Sequence, residues 1–342
     1  MTRPYRAEFD SSADFLAAVV ENALSSGQQC DPRLVPLSAA TGLNESIPSD
    51  GGFLLPDDFR QELSAEVSDT GILLSKINRV PTSRARVTFP CIDQTSRAAG
   101  QMFGGVQAQW GNEAGSITAT KPKFGAMTLP MKKIVTDWYV TGEAIEDSEA
   151  LTHGLRTVAV EEITFAVEQE MISGDGTRGP LGVLKSNCLI AVAPESGQAA
   201  STLRGENLTK AMGRFWPASH RRGIWLMSLE CYQQICGASF SNGAPIVQYE
   251  GGRRYILGVE LFVSEHSNPL GQEGDVLLLD PKEYILADRG QELLQSVHVQ
   301  FLAHESVFRL TWRLNGQLRW KGAVVPRNCT ATASPAVTLA QR

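Results

Sequence analysis

Histidine is the side chain best suited to acid–base or metal chemistry, because it titrates close to neutral pH. The five histidines are His153, His220, His266, His298 and His304, and none falls in an HExxH, HxH or nucleotide-binding pattern. His298 and His304 share one face of a predicted strand, and together with Asp288 they could serve a hydrolase. Catalysis or metal binding would need partners that the sequence does not place. We therefore interpret them as ordinary strand histidines and predict no catalytic, metal-binding or cofactor-binding residue.

A glycine-rich turn, Ser173–Gly176, is the one segment that resembles a phosphate-binding loop. Such a loop precedes a helix and presents the amides of the helix N-terminus to the phosphate. This turn instead follows the predicted helix. We therefore expect it to end the helix, with Gly174 in the left-handed conformation that favours glycine.

The six cysteines lie at positions 30, 91, 188, 231, 236 and 329, and none forms a CxxC pair. Structural zinc sites normally use such pairs, so a zinc site is not expected. Cys231 and Cys236 should lie on different faces of one helix. We predict free, buried thiols.

The composition excludes several classes of protein. A formal net charge of −6 argues against a general nucleic-acid-binding protein, which would be basic. No apolar run approaches the length needed to span a membrane, and the N-terminus lacks the apolar region of a signal peptide. We expect synthesis in a cytosol. The length of 342 residues is enough for a large core or for two to three subdomains.

A long helix over 151–172 is the element that organises the chain. Apolar residues recur there at intervals of three and four in two neighbouring rows, which predicts an apolar face covered on two sides. The first row includes Val158 and Phe165, and the second contains Ala159, Ile163, Ala166, Val167 and Met171.

Two segments predict contacts between subunits rather than an internal core. Residues 1–50 combine a short amphipathic helix with a stretch rich in Ser, Gly, Pro and Asn, which needs a surface on which to lie. Residues 91–123 separate a predicted strand, 84–90, from a long strand-like run, 124–140. An isolated two-stranded excursion of this length is marginal in water, so it either packs on another chain or forms a mobile surface loop.

The last third of the chain is rich in predicted strands. Residues 297–314 alternate with period two, reach Asn315–Gly316 and return through 317–325, which predicts a hairpin with a two-residue turn. In that hairpin Trp312 would face Arg319. The tail from Arg327 onwards is small and polar, which predicts a surface strap or a disordered end.

Several motifs occur in an order that resembles the major capsid proteins of tailed bacteriophages. Each motif is weak alone, but the ordered set is fairly specific and runs from about Gly51 to about Val325. The motifs are Gly51–Pro56 (GGFLLP), Trp110–Glu113 (WGNE), Thr141–Ser148 (TGEAIEDS), Gly174–Leu184 (GDGTRGPLGVL), Leu257–Pro269 (beginning LGV), Asp280–Tyr284 (DPKEY) and Arg313–Gly316 (RLNG).

The resemblance implies an α+β chain with the Hong Kong-97-type phage capsid fold. That fold has an N-terminal arm, an extended β-hairpin loop, a peripheral domain with a long spine helix, and an axial domain. The implied segments are 1–50 for the N-terminal helix and arm, 51–90 for the start of the peripheral domain, 91–123 for the extended loop, 124–201 for the peripheral domain with spine helix 151–172, 202–274 for the axial domain, 275–326 for the peripheral return strands, and 327–342 for the C-terminal tail.

The resemblance also implies the function. It predicts a structural major capsid protein, not an enzyme, that self-assembles into pentamers and hexamers of an icosahedral head. The partners are further copies of the chain, with a portal protein, a scaffold or protease, and decoration proteins to be considered. Double-stranded DNA would be enclosed without sequence-specific binding, and no membrane is involved. The protein would belong to the virion and assemble in the host cytoplasm.

The alternatives are a bacterial nanocompartment shell of the same fold, carrying protein cargo, and a hydrolase with an unrecognised site.

Five residues are candidate contacts between subunits. They are Gln101, Trp110 and Glu113 in the extended loop, with Trp312 and Arg319 in the predicted hairpin. Some proteins of the resembled family join a loop lysine covalently to an asparagine of a neighbour. Residues 91–120 contain no lysine, and Lys121 and Lys123 lie at the base of the loop. We therefore predict a non-covalent shell.

Overall fold

The protein is described by a computed structural model covering residues 71–92, 94, 96–97, 105–106, 108, 121, 124–141, 149–300 and 305–342. The chain is divided into two compact units. The first includes the described parts of Lys133–Ala166 and Arg289–Arg313, and the second includes those of Ile72–Lys132, Val167–Asp288 and Leu314–Arg342. The helices within these residues include none long and apolar enough to cross a membrane.

The elements follow one another in mixed order, as expected for an α+β chain. They are β1 (Asn78–Pro81), β2 (Arg86–Ile92), β3 (Phe124–Pro130), β4 (Lys132–Thr141), α1 (Glu149–Ser173), β5 (Ile190–Val192), α2 (Gly205–Arg214), β6 (Ile224–Met227), α3 (Leu229–Cys236), β7 (Gln248–Glu250), β8 (Arg253–Ile256), β9 (Val259–Val263), β10 (Val276–Leu279), β11 (Tyr284–Gln300), β12 (Glu305–Leu318) and β13 (Ala336–Leu339).

The predicted long helix is confirmed as α1, extended slightly at each end. Its second apolar row is buried: Ala159, Ile163, Val167 and Met171 are at most 5% exposed. The first row is not covered in the same way, since Val158 is 62% and Phe165 43% exposed. Around residues 158–165 the helix is therefore covered on one side, whereas the sequence predicted cover on two.

The end of α1 differs from the prediction for Gly174. Positive φ occurs at Gly176 (φ 75°), and Gly174 is not among the residues with positive φ. Glycine is needed at 174 for a different reason: a Cβ there would lie 2.4 Å from the Glu170 carbonyl oxygen and 2.6 Å from that of Pro180. The close return of the chain, with the Gly182 N–H donating to the Gly174 carbonyl (2.9 Å), requires the absence of a side chain.

A seven-stranded sheet in the second unit holds the largest core. Its strand order is β5-β13-β10-β6-β9-β8-β7, and β6, β10 and β13 are buried at every residue. Helices α2 and α3 contribute Leu208, Cys231 and Ile235 to the same apolar cluster. The sheet uses strands from both sides of the predicted segment 202–274, whose boundaries remain predictions.

The prediction for the tail is wrong, because the tail supplies a central strand. β13 pairs antiparallel with β10, Val337 lying opposite Leu278, and parallel with β5, Val337 lying opposite Ile190. The short run Ala336–Leu339 has no local signal of its own. Its burial depends on partners that are distant in the sequence.

The predicted hairpin turn at Asn315–Gly316 is also wrong, because β12 runs through both residues. The Asn315 amide donates to the Pro130 carbonyl (2.6 Å), which holds the side chain inside the second unit. Gly316 lies against the Tyr284 ring, and a Cβ at 316 would come within 2.7 Å of it. The glycine therefore serves close packing rather than chain reversal. β12 is instead a neighbour of β11 in the four-stranded sheet β1-β11-β12-β4.

The strand-like run 124–140 forms two strands in different sheets. β3 pairs with β2, while β4 is the edge strand of the four-stranded sheet. Pro130 ends β3, and proline cannot donate a hydrogen bond to a continuing ladder.

The end of the tail is fixed by a buried ion pair between Arg342 and Asp275. The guanidinium of Arg342 donates to both carboxylate oxygens of Asp275 (3.1 and 2.5 Å), and the two side chains are 2% and 0% exposed. Its Nε also donates to the Thr202 carbonyl (2.6 Å). Removing one partner of such a pair leaves a buried charge uncompensated.

We predict that Arg342→Met lowers the free energy of unfolding of the unassembled subunit by roughly 3–5 kcal/mol. Denaturant unfolding at neutral pH measures this. The matched control is Arg327→Met, which changes an exposed arginine of the same tail and should cost less than about 0.5 kcal/mol. Equal stability of the two variants would show that the buried pair contributes nothing.

Candidate assembly interface

The antiparallel ribbon of β2 and β3 has one face fixed to its own unit and one face in solvent. Inward-facing side chains, alternating along both strands, pack against β11 in one apolar cluster: Val87, Phe89, Cys91, Met127 and Leu129, with Ile285 and Ala287. The outward residues include Arg86, Thr88, Thr128 and Phe124, which is 65% exposed. The ribbon is thus a stem anchored by its inner face, with an exposed outer face.

The ribbon is also the base of the predicted extended loop. Its last described pair is Ile92 opposite Phe124, so the chain leaves and re-enters the ribbon at adjacent positions. Most of residues 93–123 lie outside the described residues, and so do Gln101, Trp110 and Glu113. These three remain predicted contacts.

The beginning of the loop is attached to the second unit. The Arg97 N–H donates to the Val325 carbonyl (3.0 Å), and Ser96 forms a bridge with the same residue. The Arg97 guanidinium lies over the Trp216 ring at 4.4 Å, and Trp216 meets Trp320 edge to face at 5.0 Å. The sequence analysis missed this cluster, since residues so far apart in the chain carry no local signal for the contact.

The two candidates from the predicted hairpin have different environments. Trp312 is fully buried in its own chain, at 0% exposed, so its indole has no surface to offer to a neighbour. Arg319 is exposed, and its N–H donates to the Glu283 carbonyl (2.9 Å). The predicted cross-strand pair of these residues is wrong because β12 does not reverse at 315–316. Arg319 remains a predicted contact.

The residues considered for chemistry serve the structure where they are described. Glu168, buried in α1, accepts hydrogen bonds from the Leu73 and Leu74 amides (2.6 and 3.1 Å). His266 lies beside it, with Nε2 3.8 Å from Glu168 Oε2. Asp288, the carboxylate of the hydrolase alternative, pairs with Arg79 at 2.7 Å. The side chains of His298 and His304 lie outside the described residues. Within the described ranges, no three His, Cys, Asp or Glu residues are grouped to hold a metal ion.

The thiols are free where described, but not all are buried as predicted. Cys91, Cys188 and Cys231 are buried, whereas Cys236 and Cys329 are exposed. Burial raises the pKa of Cys231 to about 12, which makes it inert. Hydrogen bonding with the Tyr249 and Tyr232 hydroxyls lowers the pKa of the Cys236 thiol.

Comparison with known protein families shows to which family the chain belongs. The phage capsid family matches residues 51–329, most of the chain. The chain belongs to the phage capsid family. The resemblance inferred from its motifs is therefore confirmed. No curated protein matches the chain.

Solved capsid structures share the fold. The capsid of an empty GTA particle, computed with C5 symmetry, matches with a TM-score of 0.61 at 14% identity, covering 79% of this chain and 90% of that one. A chain of Microbacterium phage Oxtober96 matches with a TM-score of 0.56 at 14% identity, covering 79% and 90%. A chain of Mycobacterium phage Adephagia matches with a TM-score of 0.54 at 16% identity, covering 79% and 89%. The predicted α+β capsid fold is confirmed, whereas the Hong Kong-97-type label and its subdomains remain predictions.

The missing loop lysine predicts the behaviour of assembled particles on a denaturing gel. Boiling them in detergent with a reductant should give a single band near the mass of 37.1 kDa, because no amine is placed for a covalent link. The reductant removes disulfides that exposed Cys236 or Cys329 could form. A ladder of multimers surviving this treatment would contradict the prediction.

Proposed function

We propose that this chain is a structural major capsid protein whose copies form pentamers and hexamers and close into an icosahedral phage head around double-stranded DNA. The observation that carries the proposal is the family match over 51–329 together with the capsid fold of the described residues. The described side chains support a structural role, because the buried carboxylates of Glu168, Asp275 and Asp280 are held by the Leu73 amide, Arg342 and Arg222.

The position of the predicted extended loop, between the ends of the β2–β3 ribbon, supports a role in joining neighbours. The ribbon packs on its own unit through an apolar face, so both ends of the loop start from an anchored base. Gln101, Trp110 and Glu113 would then reach a neighbouring subunit, with Trp110 as the anchor, since buried aromatics often dominate the energy of an interface. Each contact can be modest, because many copies in a closed shell bind multivalently.

The remaining partners follow from this role. A head that packages DNA needs a portal, and a scaffold, protease or decoration protein would act during or after assembly. The net charge of −6 agrees with a shell that encloses DNA without binding it through a strongly basic surface. Assembly would take place in the host cytoplasm, and the mature protein would belong to the virion.

Expression of the chain alone, followed by sedimentation and electron microscopy, tests the proposal. We expect pentamers, hexamers or closed shells of megadalton mass, driven by apolar burial at about 25 cal/mol per Å². A stable monomer at high concentration, without particles at any salt concentration, would refute it. Particles from infected or induced cells should protect DNA from nuclease. Protein cargo without nucleic acid would instead identify a nanocompartment shell.

We predict that deleting residues 101–115 leaves a folded subunit that fails to close shells. The ribbon pairs from Arg86–Pro130 to Ile92–Phe124 lie outside the deletion, so the stem should persist. Circular dichroism and particle yield measure the two effects. As a control, a Gly/Ser segment of the same length separates the effect of chain length from that of the side chains. Normal shells from the deletion variant would overturn the role assigned to the loop.

A further inference from the structure

One face of helix α1 carries apolar and acidic side chains that its own chain leaves exposed. Val158 is 62% and Phe165 43% exposed, and the exposed Glu161 and Glu162 lie between them in the sequence. On a helix, residues three and four apart are neighbours, so these four side chains form one continuous surface. We call it the acidic face. Within the described residues neither glutamate has an ion-pair partner.

A second surface has the opposite charge. It lies in the other compact unit, where β2 begins and β3 ends, and it consists of Arg84, Arg86, Lys132 and Arg178. Three backbone and side-chain contacts bring these residues together: Arg86 pairs with Pro130, the Met131 N–H donates to the Ala85 carbonyl (2.9 Å), and Lys132 Nζ donates to the Thr177 carbonyl (2.8 Å). We call this surface the basic patch.

The basic patch is not neutralised within its own unit. Its three arginines are exposed, and no ion pair joins any of the four cations to a described carboxylate. The nearest carboxylate in sequence is Asp175, which accepts a hydrogen bond from the Thr177 N–H (2.8 Å). Cations without an ion-pair partner among the described carboxylates leave a local positive charge on a chain whose net charge is −6.

We propose that the basic patch of one subunit docks on the acidic face of α1 of a neighbouring copy in the shell. This inference rests on the proposed function. The contact is heterologous, joining two different surfaces, which is the kind that generates rings when the rotation closes. The charges are complementary, and the aliphatic stems of arginine and lysine can cover Val158 and Phe165 while their heads pair with the glutamates.

A second copy of the chain would neutralise the charge of both surfaces, whereas nucleic acid would neutralise only that of the basic patch. Phosphates could neutralise the basic patch, but they would leave the acidic face of α1 exposed and without cations. A contact between copies satisfies both charges and covers apolar surface in a single step. It should also weaken with added salt, because the pairing charges lie at the surface.

Charge reversal on each surface and on both together tests the contact. The variants are E161K/E162K, R84E/R86E and the combination of all four substitutions. We expect each double variant to fold, because the altered side chains are exposed, and to lose about tenfold or more in particle yield. The combined variant should recover most of the yield, because the charges again attract. K185E/R221E, which changes the net charge by the same amount as R84E/R86E at exposed positions outside both surfaces, should assemble normally.

The outcomes separate the contact from the proposed function. Failure of the unaltered chain to form particles overturns both. Normal assembly of either double variant, or a combined variant no better than the worse of the two, overturns the contact alone. So does an R84E/R86E variant that forms normal shells but no longer protects DNA, since that result assigns the basic patch to nucleic acid. If a double variant fails to fold, the neutral variants E161Q/E162Q and R84Q/R86Q replace it. The contact is overturned if both neutral variants assemble with the same yield and the same salt dependence as the unaltered chain.

Discussion

Helix α1 carries more apolar surface than its own chain covers, and this imbalance is the constraint on which the rest of the structure depends. Ala159, Ile163 and Val167 are buried, while Val158 and Phe165 remain exposed on the other side. Covering this apolar area would lower the free energy. In the contact proposed above, another copy covers it, and Glu161 and Glu162 hydrate the face in the free subunit.

The subunit can expose this surface because its core is closed elsewhere. The seven-stranded sheet buries β6, β10 and β13 completely, and the Asp275–Arg342 pair fixes the chain beyond β13. The β2–β3 ribbon is anchored by its apolar inner face and by the hydrogen bond from Asn315 to Pro130. These contacts leave the outer face of the ribbon and one face of α1 exposed, and we propose that both serve assembly.

Sequence reasoning succeeded where the signal was local or ordered and failed where it depended on distant partners. The periodicity of 151–172 is a local property, so the helix was predicted, and the ordered motifs identified the family. Asn315–Gly316 carried a strong local turn signal, but Gly316 is required by the Tyr284 ring packed against it. The buried strand Ala336–Leu339 depends on β10 and β5, which lie far away in the sequence, and the Arg97–Trp216 contact joins residues more than a hundred positions apart. The candidate contacts in the loop remain predictions, because they lie outside the described residues and concern a second chain.

The central claim is that copies of this chain join through surfaces that the single subunit leaves exposed. An electron cryomicroscopy reconstruction of assembled particles tests it most directly. The account predicts a closed shell in which the chain between Ile92 and Phe124 crosses onto a neighbour and the outer face of α1 is covered by another copy. A shell in which that segment stays on its own subunit and Val158 and Phe165 still face solvent would contradict the account.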